Sequence, residues 1–212
     1  MGMLDYSNLL YRVERMTPQD VPTVMEIEME AFSAPWSARA YDYELHYNEM
    51  AHYYVVQPNE ELMVPVAVER QSLWKRILTR ERATTELTLL AKPIVGYGGF
   101  WMMVDEAHIS TLATHIDWRQ RGIGELLLVA LIDGAVQVGA RWVTLEVRVS
   151  NIRAQALYRK YGFDVTGMRK HYYSDNNEDA LIMTTPLCTS IDYQQRVQEL
   201  KSDVWKRLAR QP

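Results

Sequence analysis

The chain has 212 residues, 48% of them hydrophobic and 24% charged, an average globular composition that supports a packed core and excludes fibrous, collagenous and wholly disordered classes. A net charge of −4 disfavours bulk nucleic-acid binding, and no apolar stretch reaches the ~20 residues of a membrane span. The single cysteine, Cys188, permits no internal disulfide framework or cysteine-based zinc cluster; with an N-terminus that lacks a basic flank and an apolar core, the expectation is a soluble cytoplasmic protein with no membrane association.

In chain order, Val13 to Met16 reads as a short strand ended by the cap and turn residues Thr17-Pro18-Gln19-Asp20, so a helix is expected from about Asp20. Val21, Val24, Met25, Ile27 and Phe32 interleave with Glu26, Glu28 and Glu30 to give it one buried and one acidic side. Ala34-Pro35-Trp36-Ser37 breaks it, and Ser37 is placed to cap a second helix toward Tyr47. Tyr53 to Val56 is strand-like by aromatic and β-branched content, closed by Pro58. From Pro58 to Lys92 only Leu62 to Val68 (strand) and Ser72 to Arg82 (amphipathic helix) are candidate elements, and the segment reads as an insertion.

Ile94 to Met103 and His108 to Thr114 predict a hairpin turning at Val104-Asp105-Glu106-Ala107. Gly122 to Val138 predicts a helix stopped at Gly139, Trp142 to Val147 a buried strand, and Asn151 to Tyr161 a helix stopped by Gly162. Strand, helix, strand, helix predicts a parallel pair with a crossover. Arg169 to Ser174 and Ala180 to Thr185 are strand-like about the turn Asp175-Asn176-Asn177-Glu178, and Ile191 to Leu208 reads as an appended amphipathic helix.

Charge is unevenly placed. Asp20 to Glu61 holds nine acids against the single base Arg39, whereas Glu69 to Lys92 carries six bases against three acids. His46, His52, His108, His115 and His171 show no zinc-binding spacing, and no metal is expected.

The chemistry-bearing segment is Arg119-Gln120-Arg121-Gly122-Ile123-Gly124, after a strand and at the start of a helix. Unpaired N–H groups at a helix N-terminus attract anions, two glycines let a diphosphate approach the backbone, and the arginines add charge. No Gly-Lys-Ser/Thr follows and the dinucleotide spacing is missing, so ATP and NAD chemistry have no support. Further on come Leu145-Glu146-Val147-Arg148, Ser150-Asn151, Ala156-Leu157-Tyr158 and Gly162-Phe163, with Asn151 and Tyr158 two turns apart on one helix face.

Together these strings resemble the GNAT (Gcn5-related) acetyltransferase superfamily over roughly His108 to Leu187, and more loosely over Val13 to Gln57. With Tyr172-Tyr173, Glu178-Asp179-Ala180 and Ala31-Phe32 through Pro35-Trp36-Ser37, they resemble its RimI type, which acetylates the N-terminal alanine of a small-subunit ribosomal protein. The resemblance implies an α/β (α+β) fold: a mixed central sheet with splayed parallel strands flanked by helices, in one domain over 1–187, with the insertion at about 58–92 and a C-terminal helical extension over 188–212. It implies acetyl-CoA as cosubstrate, Leu112, Ala113 and Thr114 offering backbone to the pantetheine, and Arg119, Gln120, Arg121, Gly122, Ile123, Gly124 and Glu125 around the diphosphate. Asn151 and Tyr158 also contact CoA. Glu146 is implied as general base, directly or through water, and Tyr158 as the proton donor to the departing CoA thiolate. Phe32, Pro35, Trp36, Tyr172 and Tyr173 are implied on the substrate side.

An α-amine near ~7.7–8.0 needs little help to lose its proton, whereas lysine near ~10.4 needs much more, so a carboxylate base suits an N-terminal amine. A phenol near ~10 is a weaker acid than a thiol near ~8.5, which favours hydrogen bonding to the departing sulfur over full protonation. The expected reaction is direct attack in a ternary complex on a ribosomal protein's N-terminus, with the acidic stretch flanking the peptide groove. The same residues leave open other protein N-termini, small amines, or a non-catalytic acetyl-CoA-binding module, and the insertion leaves open edge cover or docking to RNA.

Overall fold

The computed structural model describes residues 8–59 and 93–209. The expected elements at 62–68 and 72–82 lie outside the described residues. Seven strands, β1 (Tyr11–Arg15), β2 (Ala51–Pro58), β3 (Gly96–Met103), β4 (Glu106–Thr114), β5 (Trp142–Arg148), β6 (Asp164–Tyr173) and β7 (Glu178–Thr184), form one sheet in the order β1-β2-β3-β4-β5-β7-β6. Among the described residues five helices accompany them: α1 (Val21–Ala31), α2 (Ala38–Tyr47), α3 (Ile123–Gln137), α4 (Ile152–Lys160) and α5 (Ile191–Leu208).

Local chemistry sets the helix ends. Thr17 and Asp20 form a capping box, with the Thr17 backbone N–H and hydroxyl both donating to Asp20 Oδ2 at 2.7 and 2.8 Å. Ser37 caps α2 by accepting the Ala40 N–H at 3.2 Å. Gly139 (φ 98°) and Gly162 (φ 83°) take the left-handed conformation that ends α3 and α4. α3 is the core helix: Leu126 to Ala135 are buried without interruption, each large aliphatic side chain stabilising by about 1.5–3 kcal/mol.

All strand pairings are antiparallel except β4–β5, which α3 connects as the expected crossover. The parallel register runs from Glu106↔Trp142 to Ile109↔Leu145 and stops. Beyond it Ser110 to Thr114 have no partner on β5, so the two strands splay. A bulge marks the point, because Phe100 pairs with Ile109 and Gly99 with Thr111, leaving Ser110 extra.

β6 begins five residues before the expected Arg169. Residues 164–168 contain Gly167 and carry no clear alternation, yet β7 recruits them through a register shift between Val165 and Gly167. A second shift between Arg169 and Tyr173, with His171 at φ 52°, bends the end of β6.

Candidate active site

Between the splayed strands opens a cleft of about 720 Å³. β4 presents His108 to Leu112, while Ala113 and Thr114 lie outside the lining; β5 presents Glu146, and α4 closes the floor with Asn151 and Tyr158. The α1–α2 loop forms one wall with Phe32 and Trp36, and the bent end of β6 forms the other with Tyr172 and Tyr173. Pro35 is exposed and outside the lining. A cavity of about 840 Å³ between α3 and α5, lined by Asp133, Cys188 and Tyr193, holds none of the expected residues.

Glu146 is the central charge. Its side chain is only 6% exposed, with Oε2 2.7 Å from His108 Nε2 and Oε1 2.8 Å from Arg169 Nε. Burial alone would raise its pKa, but hydrogen bonds and charge from His108 and Arg169 outweigh desolvation and hold it below the ordinary 4.5. Glu146 is therefore a fixed carboxylate at neutral pH. His108 went unassigned in the sequence, where 38 residues separate it from Glu146. It reaches the site because it pairs with Thr144, two residues from Glu146 on the same strand face. Its other neighbour is Trp101, stacked at 6.3 Å and in turn stacked on Trp36 at 5.6 Å.

Tyr158 is buried, and desolvation, with a smaller contribution from Tyr173, pushes its pKa up to about 12. Its hydroxyl bonds to no group among the described residues, so its proton is free for the cleft. Asn151 caps α4 by accepting the Ala154 N–H at 3.1 Å. Gln155, also unassigned from sequence, donates to the carbonyls of Arg148 and Val149 at 3.0 and 2.8 Å and locks the strand-to-helix corner.

The loop 119–125 does not line the cleft, and it follows β4 less directly than the sequence suggested: a 3₁₀ turn, Ile116–Trp118, intervenes. Gln120 (φ 66°) and Gly122 (φ 83°) both lie in the left-handed region, turning the chain into α3. The first intrahelical bond is Leu126 N–H to Gly122 C=O, which leaves the N–H groups of Ile123, Gly124 and Glu125 without helical partners. A Cβ on Gly124 would meet only Thr114 Oγ1 at 3.6 Å and Leu112 Cδ2 at 4.0 Å, so the approach between loop and β4 is open. Arg119 donates to the Thr114 carbonyl at 3.3 Å, Ala113 is buried, and Arg121 lies over Trp118 at 4.6 Å.

The acidic stretch is placed differently from the expectation. None of its described acids lines the cleft. Glu28 is buried, accepting from Trp36 N–H and the Tyr41 hydroxyl at 2.8 and 3.0 Å, and Glu44 accepts from Trp101 Nε1 at 2.7 Å. The acids that do line it are Glu146, Asp175 and Glu178. Arg148 binds Asp175 at 2.9 Å and Glu178 at 3.1 Å and lies 3.8 Å over Tyr173, while the Ser33 hydroxyl donates to Asp175 at 2.6 Å. This network ties the two walls together.

A sequence model of the Acetyltransferase (GNAT) family matches residues 21–163, a span holding Glu146, Tyr158 and the glycine loop. The chain belongs to this family. It is an acetyl-CoA-dependent N-acetyltransferase. A Bacillus subtilis protein, provisionally named a ribosomal protein bS18-alanine N-acetyltransferase, is 34% identical over 171 residues, 81% of this chain and 92% of that one. The crystal structure of the Escherichia coli ribosomal-protein-S18-alanine N-acetyltransferase superposes with TM-score 0.64 at 25% identity, over 85% of this chain and 96% of that one. A GNAT acetyltransferase from Elizabethkingia anophelis, solved with acetyl-CoA, shares the fold at TM-score 0.58 and 18% identity, over 84% and 99% of the two chains.

The acetyltransferase has the donor set that its cosubstrate requires: unpartnered N–H groups at the start of α3 suit a diphosphate, and the free edge of β4 suits the amide-bearing arm that leads to the thioester. Among its described residues no group of three or more potential metal ligands gathers, and no helix is long and apolar enough to cross a membrane.

Proposed function

We propose that this acetyltransferase transfers the acetyl group of acetyl-CoA to the α-amino group of an N-terminal alanine on a ribosomal protein. The observation that carries the reading is the shared cleft: Glu146, Tyr158 and the aromatic walls Trp36, Tyr172 and Tyr173 face one space where β4 and β5 part. The names of the Bacillus subtilis and Escherichia coli relatives support the acceptor.

In this reading Glu146, directly or through a water, receives the proton of the incoming ammonium, and the freed amine attacks the thioester carbonyl. Acetyl-CoA supplies the activated acyl group. Tyr158, with its pKa raised, keeps its proton and donates a hydrogen bond to the sulfur as the C–S bond breaks, and the second proton of the nitrogen passes to the departing thiolate to give CoA–SH. Backbone groups of Leu112 to Thr114 hold the arm and Gln120 to Glu125 the diphosphate. Phe32, Trp36, Tyr172 and Tyr173 grip the first residues of the acceptor.

The test is mass-spectrometric detection of acetylation on a peptide panel: alanine-starting basic peptides, other N-termini, internal-lysine peptides with blocked N-termini, and polyamines. Acetyl transfer to the alanine α-amine at the highest kcat/KM is expected. Preference for lysine or a polyamine would overturn the acceptor, and CoA binding with no transfer to any member would leave a binding module.

A further inference from the structure

The C-terminal helix α5 lies beyond the span that the family model matches, yet it is built into the end of the molecule where the diphosphate is expected. Leu208 is buried, and its Cδ2 would stand 3.1 Å from a Cβ placed on Gly122, so the last turn of α5 rests directly on the glycine that starts α3. The backbone is fastened there as well, by the Leu10 N–H to Leu208 carbonyl bond at 2.9 Å and a bridge between Leu9 and Ala209.

Charge gives this contact its meaning. Glu125 sits in the first turn of α3, where a bare carboxylate would repel a diphosphate, although it suits the helix dipole. Its side chain is only 12% exposed and fully engaged. Oε1 accepts from Lys160 Nζ at 2.6 Å and from the Tyr161 hydroxyl at 2.8 Å, and Oε2 pairs with Arg207 Nη2 on α5. Burial pushes the Glu125 pKa up, but these partners outweigh it, so the acid stays ionised and its charge is met by two cations. α5 also steadies the second cation: Arg196 donates to the carbonyls of Arg159 and Lys160 at the end of α4, at 3.2 and 3.0 Å.

We propose that α5 is a working part of the acetyl-CoA site, in which Arg207, with Lys160, outweighs the charge of Glu125 and leaves the cluster positive beside the diphosphate while Leu208 seats Gly122. Arg207 and Leu208 are positioning residues, and the inference rests on the diphosphate lying at 120–125. Glu125, Lys160 and Arg207 together carry a net charge of +1; removing Arg207 leaves a neutral pair beside the ligand, and removing the charge of Glu125 as well returns the +1 without restoring the tether between α5 and α3.

Isothermal titration of the full chain with CoA tests this. Arg207→Ala is expected to weaken CoA binding about five- to tenfold, an effect that shrinks as salt rises. The KM of the acceptor peptide and kcat at saturating acetyl-CoA should stay within about twofold of the wild type. The double variant Glu125→Gln with Arg207→Ala is expected to bind CoA more tightly than Arg207→Ala alone, and Arg207→Lys to retain most of the affinity. Arg207 is half-exposed, so the variant is expected to fold, and its melting curve checks this. Wild-type affinity in Arg207→Ala overturns the proposal, as does a double variant no tighter than the single one, which would make Arg207 a direct contact or a plain tether. A wild-type chain that binds no CoA overturns this inference together with the diphosphate placement beneath it.

Discussion

Replacing Glu146 by Gln removes the one ionised oxygen pair in the cleft that is free of the Asp175–Glu178 network, while keeping shape and one acceptor for His108 or Arg169. A positioned general base contributes about 10²–10⁴-fold; a carboxylate held below its ordinary pKa belongs at the low end of that range, so kcat should fall by about 10²-fold, or about 3 kcal/mol of barrier. CoA affinity should not change, because Glu146 lies on β5 away from the loop 119–125. The companion variant Arg169→Ala fixes the sign of the pH dependence. Arg169 and His108 hold the Glu146 pKa down, so without Arg169 it rises toward 4.5, and the acid limb of kcat/KM moves to higher pH. The same direction governs stability: the ion pairs of Glu146 contribute above the unfolded pKa of about 4.3 and are lost as pH falls through the lower folded value. The assay is initial-rate kinetics on an alanine-starting peptide from about pH 3 to 9, so that the acid limb below 4.5 is covered, beside CoA titration and thermal melting of each variant. Turnover of Glu146→Gln within about threefold of the wild type, in a folded protein, would refute the role of this carboxylate.

Three further outcomes are expected. Tyr158→Phe should lower kcat by about 10²-fold, the loss typical of one donor to developing charge, with CoA affinity within twofold by titration and an unchanged melting curve, since the hydroxyl has no protein partner among the described residues. Glu28→Gln should be more stabilising relative to the wild type at pH 8 than at pH 4, because burial raises the Glu28 pKa and the cost of ionising it applies above that raised value; equal melting shifts at both pH values would contradict this. Lys201→Met should cost about 3–5 kcal/mol in urea unfolding by stranding Asp133, whose side chain is 4% exposed and 2.6 Å from Lys201, and adding Asp133→Asn should recover most of it.

The parts of the fold legible in the sequence were those specified by local chemistry. The cap at Ser37, the glycine stops at 139 and 162 and the amphipathic run Ile191 to Leu208 needed only neighbours within a turn or two. The first half of β6 was not legible because its order comes from β7, across a register shift no local pattern announces. The site divides the same way. Glu146, Tyr158 and Asn151 sit in strings that carry the family resemblance, whereas His108, Trp101 and Arg169 converge on Glu146 or its neighbour from other strands. Arg148 stood inside a readable string, but its partners Ser33 and Asp175 are 115 and 27 residues away, so its part in joining the walls was hidden. The acidic segment misled for a related reason: net charge along the chain says nothing of which carboxylates a hydrogen bond turns inward, as Trp36 and Tyr41 do to Glu28.

The clamped state of Glu146 bears on the class of acceptor. A carboxylate held below its ordinary pKa is a secure anion and a weak base: it attracts an ammonium and orients it, but has little proton affinity to offer. At pH 7 an α-amine of pKa ~7.7–8.0 is already about 10–17% deprotonated, whereas a lysine near ~10.4 is about 0.04% deprotonated. That difference of roughly 2.5 pKa units is worth about 3.4 kcal/mol, comparable to the whole contribution of a general base. A site that wanted lysine would gain by letting burial raise its carboxylate, and the buried Glu146 would do so without His108 and Arg169. Their presence trades basicity for a permanent charge, a trade that favours an amine arriving close to neutral, as a protein N-terminus does.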